Sequence, residues 1–154
     1  MSEIVFTSAL RPTHKDELER LLFFNANQAR VSASVSLIAE RYGVPRIQVV
    51  EDHLRIELDS PVEAQTLYAV QRTASSVEPV GVVVYTREED AFVVLFVAVH
   101  EDFTARGPLA DRRLLMRITD ELRAIARRVR GVRSLVMFMG RPAPLRLSVD
   151  RGPR

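Results

Sequence analysis

"VGVVVYTREEDAFVVLFVAV", residues 80–99, decides the fold of this chain. Its two halves, "VGVVVYTR" and "AFVVLFVAV", are rich in β-branched and aromatic residues, the composition of strands. The short link "EEDA" between them predicts an antiparallel hairpin. Apolar residues run almost continuously instead of alternating. Both faces are therefore expected to be covered, which places the hairpin at the centre of a sheet.

The flanks complete the pattern. Upstream, "EIVFTSA" (3–9) reads as a short strand. Thr13 has the position of an N-cap, with Asp16 three residues on, ahead of a helical stripe of Leu18, Leu21 and Leu22 over 14–24. A second helix is expected over 31–42, with Val31, Val35, Ile38 and Tyr42 on one face and Gly43 and Pro45 ending it. "RIQVVED" and "LRIELD" are short strand candidates. In "QTLYAVQR", Leu67 and Ala69 face one way, with Gln71 in the same register, and Tyr68 and Val70 face the other. "TASSVEP" reads as a turn. Downstream, Leu115, Ile118, Leu122, Ile125 and Val129 recur at steps of three and four. They predict an amphipathic helix over 111–130 with Asp111 as its N-cap. "SLVMFM" is another buried strand, "GRPAP" turns the chain, and "LRLSV" is a last strand. The strand–helix–strand step over 92–99, 111–130 and 134–139 predicts a right-handed crossover inside a mixed, mostly antiparallel α/β sheet. One domain over 1–150 is expected, with 151–154 as a loose tail.

Composition narrows the function classes. The chain has 154 residues and no cysteine, so disulfides and thiolate sites of any kind are excluded. No basic start followed by an apolar run marks a signal peptide, and the longest apolar run, "AFVVLFVAV", is too short for a membrane helix. These features fit a cytoplasmic protein. Net charge is +2 but uneven: residues 106–133 hold 9 arginines against 3 acids. Such a patch attracts anions. The chain has only one lysine (Lys15), so arginine richness is general and only the placement of the arginines is informative. Nucleic acid is disfavoured, because no aromatic residues are interleaved for base stacking and no DNA-binding module is visible. No ligand spacing for a metal is found among His14, His53 and His100. There is no GxSxG, P-loop or GxGxxG.

The stretch "EPVGVVVYTREEDAFVVLFVAVHEDFTARG", the helix after it and "SLVMFM" together resemble the GNAT acetyltransferase superfamily. The coarse likeness covers 1–139, and its specific part spans about 40 residues. The resemblance implies a hairpin leading into a central strand, then a loop and a helix N-terminus that bind the pyrophosphate of acetyl-CoA. The "VAVHEDF" run (97–103) is similar to that family's strand end. The resemblance further implies that the backbone around Val97 and Val99 holds the pantetheine arm, freed by a splay of the central strands. Arg106, Gly107, Arg112 and Arg113 stand at the phosphate end. Glu101 stands where a general base would take a proton from an attacking amine, which is either a small molecule or a protein N-terminus or side chain.

The chain departs from the family pattern in two places. The loop of the family reads Arg/Gln-x-x-Gly-x-Gly/Ala, whereas "TARGPLAD" has Thr104 in the arginine position. Leu109 sits near the second glycine, and Pro108 has no N–H to offer. The family's usual helix between its last two long strands is replaced by "GRPAP", and the tyrosine that protonates the departing thiolate has no counterpart. Tyr42, Tyr68 and Tyr85 all lie upstream. Three readings follow: an acyl-CoA-binding N-acetyltransferase, a non-catalytic sensing or protein-interaction module of similar fold, and a chaperone-like homodimer offering apolar surface to a client.

Overall fold

The computed structural model describes residues 3–23, 40–104, 107–137 and 144–150. Among the described residues, eight strands and two fully described α-helices follow one another: β1 (Glu3–Thr7), α1 (Lys15–Phe23), β2 (Pro45–Val50), β3 (His53–Leu58), β4 (Gln65–Arg72), β5 (Val77–Glu88), β6 (Ala91–Val99), α2 (Leu114–Arg128), β7 (Ser134–Met137) and β8 (Leu145–Ser148). Six strands form one sheet in the order β1-β4-β5-β6-β7-β8, while β2 and β3 pair separately. Every neighbouring pair is antiparallel except β6 and β7, which run parallel on either side of α2. This is the expected mixed α/β architecture, with the hairpin β5–β6 at its centre.

The central position explains the unbroken apolar runs. Val82, Val84, Val93 and Leu95 pack on one face with Leu18, Leu21 and Leu22 of α1 and Leu54, Ile56 and Leu58 of β3. Val83, Tyr85, Phe92 and Val94 pack on the other with Leu114, Ile118, Leu122 and Ala126 of α2. The alternation read in β4 also holds: Leu67 and Ala69 join the α2 side, Tyr68 and Val70 the α1 side. Gly81 lets α2 come close, since a Cβ there would lie 2.8 Å from Ile118 Cδ1.

Several boundaries differ from expectation. "TASSVEP" is not all turn, because β5 begins at Val77 and carries Pro79 in the sheet. A bulge makes this feasible: Ala69 faces Gly81 and Val70 faces Pro79, so Val80 is the extra residue. Thr13 caps no helix. Pro12–His14 form a 3₁₀ turn ahead of α1, and His14 Nδ1 meets Glu17 Oε1 at 2.9 Å. Asp111 does not cap α2, which starts three residues later. Residues 110–112 close into a 3₁₀ turn, and Arg113 breaks the direction in a left-handed conformation (φ +49°). The deep face of α2 is therefore Leu114, Ile118, Leu122 and Ala126 at steps of four, and Leu115 moves to its flank. Of the expected helix 31–42, residues 40–42 are helical, and 31–39 lie outside the described residues. The expected tail 151–154, and Phe138 and Met139 of the expected strand "SLVMFM", also lie outside them.

Candidate functional site

β6 changes character along its length. Its first half pairs on both sides: Ala91–Val94 face Ser134–Met137 of β7, and the same residues face Val94's partner Tyr85 through Glu88 of β5. At Leu95 the register with β5 shifts, because Tyr85 faces Val94 while Val84 faces Phe96. The bulge puts Leu95 and Phe96 on the same face, both in the α1-side core. The strand then runs on to Val99, beyond the described length of β7.

The direction of the backbone groups past the bulge follows from the ladder. His100 N–H donates to Val80 O at 2.7 Å. With Val82 opposite Ala98 and Val83 opposite Val97, antiparallel alternation turns the polar backbone groups of Ala98 toward β5 and those of Val97 and Val99 the other way. That is the side on which β7 pairs lower down. The side chains of Val97 and Val99 are half-buried against the α2-side core.

After β6 the chain makes a 3₁₀ turn, Glu101–Phe103, pinned by the buried ring of Phe103. His100 Nδ1 accepts from Asp102 N–H at 3.1 Å and lies 3.7 Å from Asp102 Oδ2, so His100 and Asp102 serve the turn itself. Glu101 is exposed, and its backbone carbonyl accepts from Thr104 Oγ1 at 2.7 Å. Glu101 therefore sits at the mouth of the β6 end with its side chain turned outward.

The loop that follows is closed on itself. Gly107 N–H donates to Thr104 O (2.9 Å), Leu109 N–H to Asp102 O (2.7 Å), and Ala110 N–H to Gly107 O (3.3 Å). Arg112 N–H donates to Leu109 O (3.0 Å) and Arg113 N–H to Ala110 O (3.2 Å). Gly107 lies against the backbone of Glu101 and Asp102 so tightly that a Cβ would overlap both carbonyls. Arg112 and Arg113 are exposed, on the 3₁₀ turn and at the cap rather than in the first helical turn. Arg106 lies outside the described residues. The fold thus brings Val97, Val99, Glu101 and Gly107 to one end of the sheet, with Arg112 and Arg113 at the head of α2. Five described amides of this loop, those of Gly107, Leu109, Ala110, Arg112 and Arg113, are taken by carbonyls within it. Among the described residues, no three His, Asp or Glu side chains group as a metal site. No described helix is long and apolar enough to cross a membrane.

The tyrosines stand elsewhere. Tyr85 is buried with its ring 4.9 Å from that of Phe92, and burial pushes its pKa up. Tyr68 is fully buried on the α1 side, and burial drives its pKa up to about 12. Tyr42 donates to Glu88 Oε1 at 2.7 Å under the guanidinium of Arg41. Burial first, and then the bond to Glu88, push its pKa up to about 12. Tyr42, Glu88 and Arg41 border an open cleft of about 520 Å³ that also touches Glu89, Asp90, Val136 and Arg146. It lies at the other end of the sheet and contains none of the site residues expected from sequence. The 46-residue separation of Tyr42 and Glu88 leaves no local signal for their meeting.

No family model matches the chain, and no curated protein matches it. Among solved structures it is similar to the crystal structure of nourseothricin acetyltransferase, at 18% identity over 87% of this chain and 72% of that one, with a TM-score of 0.41.

Proposed function

We propose that the chain binds an acyl-CoA-type thioester at the C-terminal end of β6 and passes the acyl group to an amine. The reading rests mainly on one observation. Past the bulge at Leu95, the backbone polar groups of Val97 are turned away from β5, near an exposed carboxylate at Glu101. Groups so directed suit the amides of a pantetheine arm laid along the strand. In the transfer, the amine nitrogen bonds to the thioester carbonyl carbon and the carbon–sulfur bond breaks. Glu101 accepts the proton released by the amine, and the thiolate takes one from solvent because no tyrosine stands near. Arg112 and Arg113 attract the anionic end of the donor. The acceptor is a small-molecule amine or an amine of a protein.

A second reading, a non-catalytic sensing or interaction module, is favoured by the self-paired loop. One pair of measurements separates the two. Calorimetric titration with acetyl-CoA, followed by a transfer assay with small amines and peptides, is expected to give binding and turnover. Glu101→Gln should then lower turnover about 10²- to 10³-fold with binding unchanged. Binding without turnover selects the sensing module, and no binding at millimolar acetyl-CoA ends the thioester reading.

A further inference from the structure

We infer that the open cleft at the hairpin end of the sheet binds a small zwitterion, a molecule with an ammonium at one end and a carboxylate several carbons away. The inference is independent of the thioester reading, because the cleft and Glu101 lie at opposite ends of β6. Its shape follows from the strand register. On the α1 side of the sheet, Thr86, Val93, Val136 and Arg146 form one row across the strands. Glu88, Ala91, Ser134 and Ser148 form the next row, nearer the hairpin turn. The middle of that second row is small. The result is a hollow of about 520 Å³ with Ala91, Val93 and Val136 along its floor. Pockets for small molecules run from about 300 to 1,000 Å³.

The two ends of the cleft carry opposite charge. At the β8 end, Arg146 shares a face with buried Val136. Its Nη1 donates to Oγ of buried Ser134 at 2.7 Å, which ties the guanidinium to β7. The Nε–Nη2 edge has no partner among the described residues. That edge can meet a carboxylate with two parallel N–H bonds. At the β5 end, Glu88 Oε1 accepts from Tyr42 at 2.7 Å and lies 3.6 Å from Arg41 Nη2. Glu89 and Asp90 border the same end, are exposed, and have no ion pair among the described residues. Among the described residues, three carboxylates against one guanidinium leave that end negative. From Glu88 to Ser134 the floor is two strand spacings wide, about 10 Å. A molecule with both charges and an apolar stem across Val93 and Val136 complements each end.

The test is calorimetric titration of the full chain, at low salt, with ε-aminocaproate and with caproate and hexylamine as single-charge controls. The expected result is saturable binding of ε-aminocaproate, with each control weaker by about tenfold or more, since each end contributes charge-assisted hydrogen bonds. Arg146→Gln is expected to weaken ε-aminocaproate by about tenfold or more and to leave hexylamine unchanged. Arg146 is exposed on an edge strand, so a melting curve matching that of the parent chain shows the fold intact. The double substitution Glu89→Gln, Asp90→Asn probes the other end. It is expected to weaken ε-aminocaproate and hexylamine alike and to spare caproate. No saturation by about 20 mM ε-aminocaproate overturns the inference. So does a control that binds as tightly as ε-aminocaproate, or an Arg146→Gln chain that loses no affinity. Arg146 would then be a charge that only guards the sheet edge.

Discussion

The two ends of β6 belong to one strand but obey different constraints. At Ala91–Val94 the strand is paired on both sides and covered on both faces, with every side chain buried. At Val97–Val99, past the bulge, the side chains are only half-buried and the backbone is turned toward a side that β7 does not reach in the described structure. One strand thus has a fully covered half and a half-buried one. The transition is a single extra residue, Leu95, which re-aims everything after it.

The sharpest way to break this contrast is to truncate matched side chains at the two ends. Phe92→Ala removes a ring that is 4% exposed and stacks on Tyr85. It should cost about 3–5 kcal/mol in chemical denaturation. If it costs under 1 kcal/mol, the first half of β6 is not the covered half described. An intermediate effect is expected at high pH. Tyr68, fully buried, holds its proton up to about pH 12, whereas an unfolded tyrosine releases it near 10. The neutral form is favoured in the folded chain, so this stability is complete below pH 10 and is lost as pH climbs from 10 to 12. The loss is roughly 2–3 kcal/mol. Urea melts at pH 9 and pH 11.5 should show it, and Tyr68→Phe should reduce the difference, leaving the part that Tyr42 and Tyr85 contribute. The smallest effect belongs to the far end: Val97→Ala should cost about 1 kcal/mol or less, since its side chain is half-buried. A cost like that of Phe92→Ala would make both ends alike.

Much of the sheet was legible in the residues themselves. The runs flanking Glu89 and Asp90 read as a buried hairpin because strand composition and continuous apolarity leave few alternatives. The period of α2 was likewise plain, apart from its start. The start was misread because Asp111 looks like a cap, while the actual break falls at Arg113 in a conformation few side chains other than glycine adopt. The hairpin β2–β3 was read as two strands, but not as a pair outside the main sheet. Alternation of Leu54, Ile56 and Leu58 tells that one face is buried, yet not against what. The sequence reading brought its candidate residues to the end of β6 and its loop, and could not tell the state of that loop. Whether an amide in "TARGPLAD" is free or taken depends on which carbonyl it meets after the chain closes.

The order of the letters alone therefore determined where most of the described strands and the two helices α1 and α2 lie, that β5 and β6 sit at the centre, and that β6 must run parallel to the strand after α2. Those properties follow from side-chain chemistry and periodicity, which act over a few residues. Tertiary structure alone decided the bulge at Leu95, the meeting of Tyr42 with Glu88, and the closure of the loop ahead of α2. Each depends on hydrogen-bond partners or contacts that no local pattern encodes, and is settled only when the packed elements leave one arrangement with its backbone groups paired.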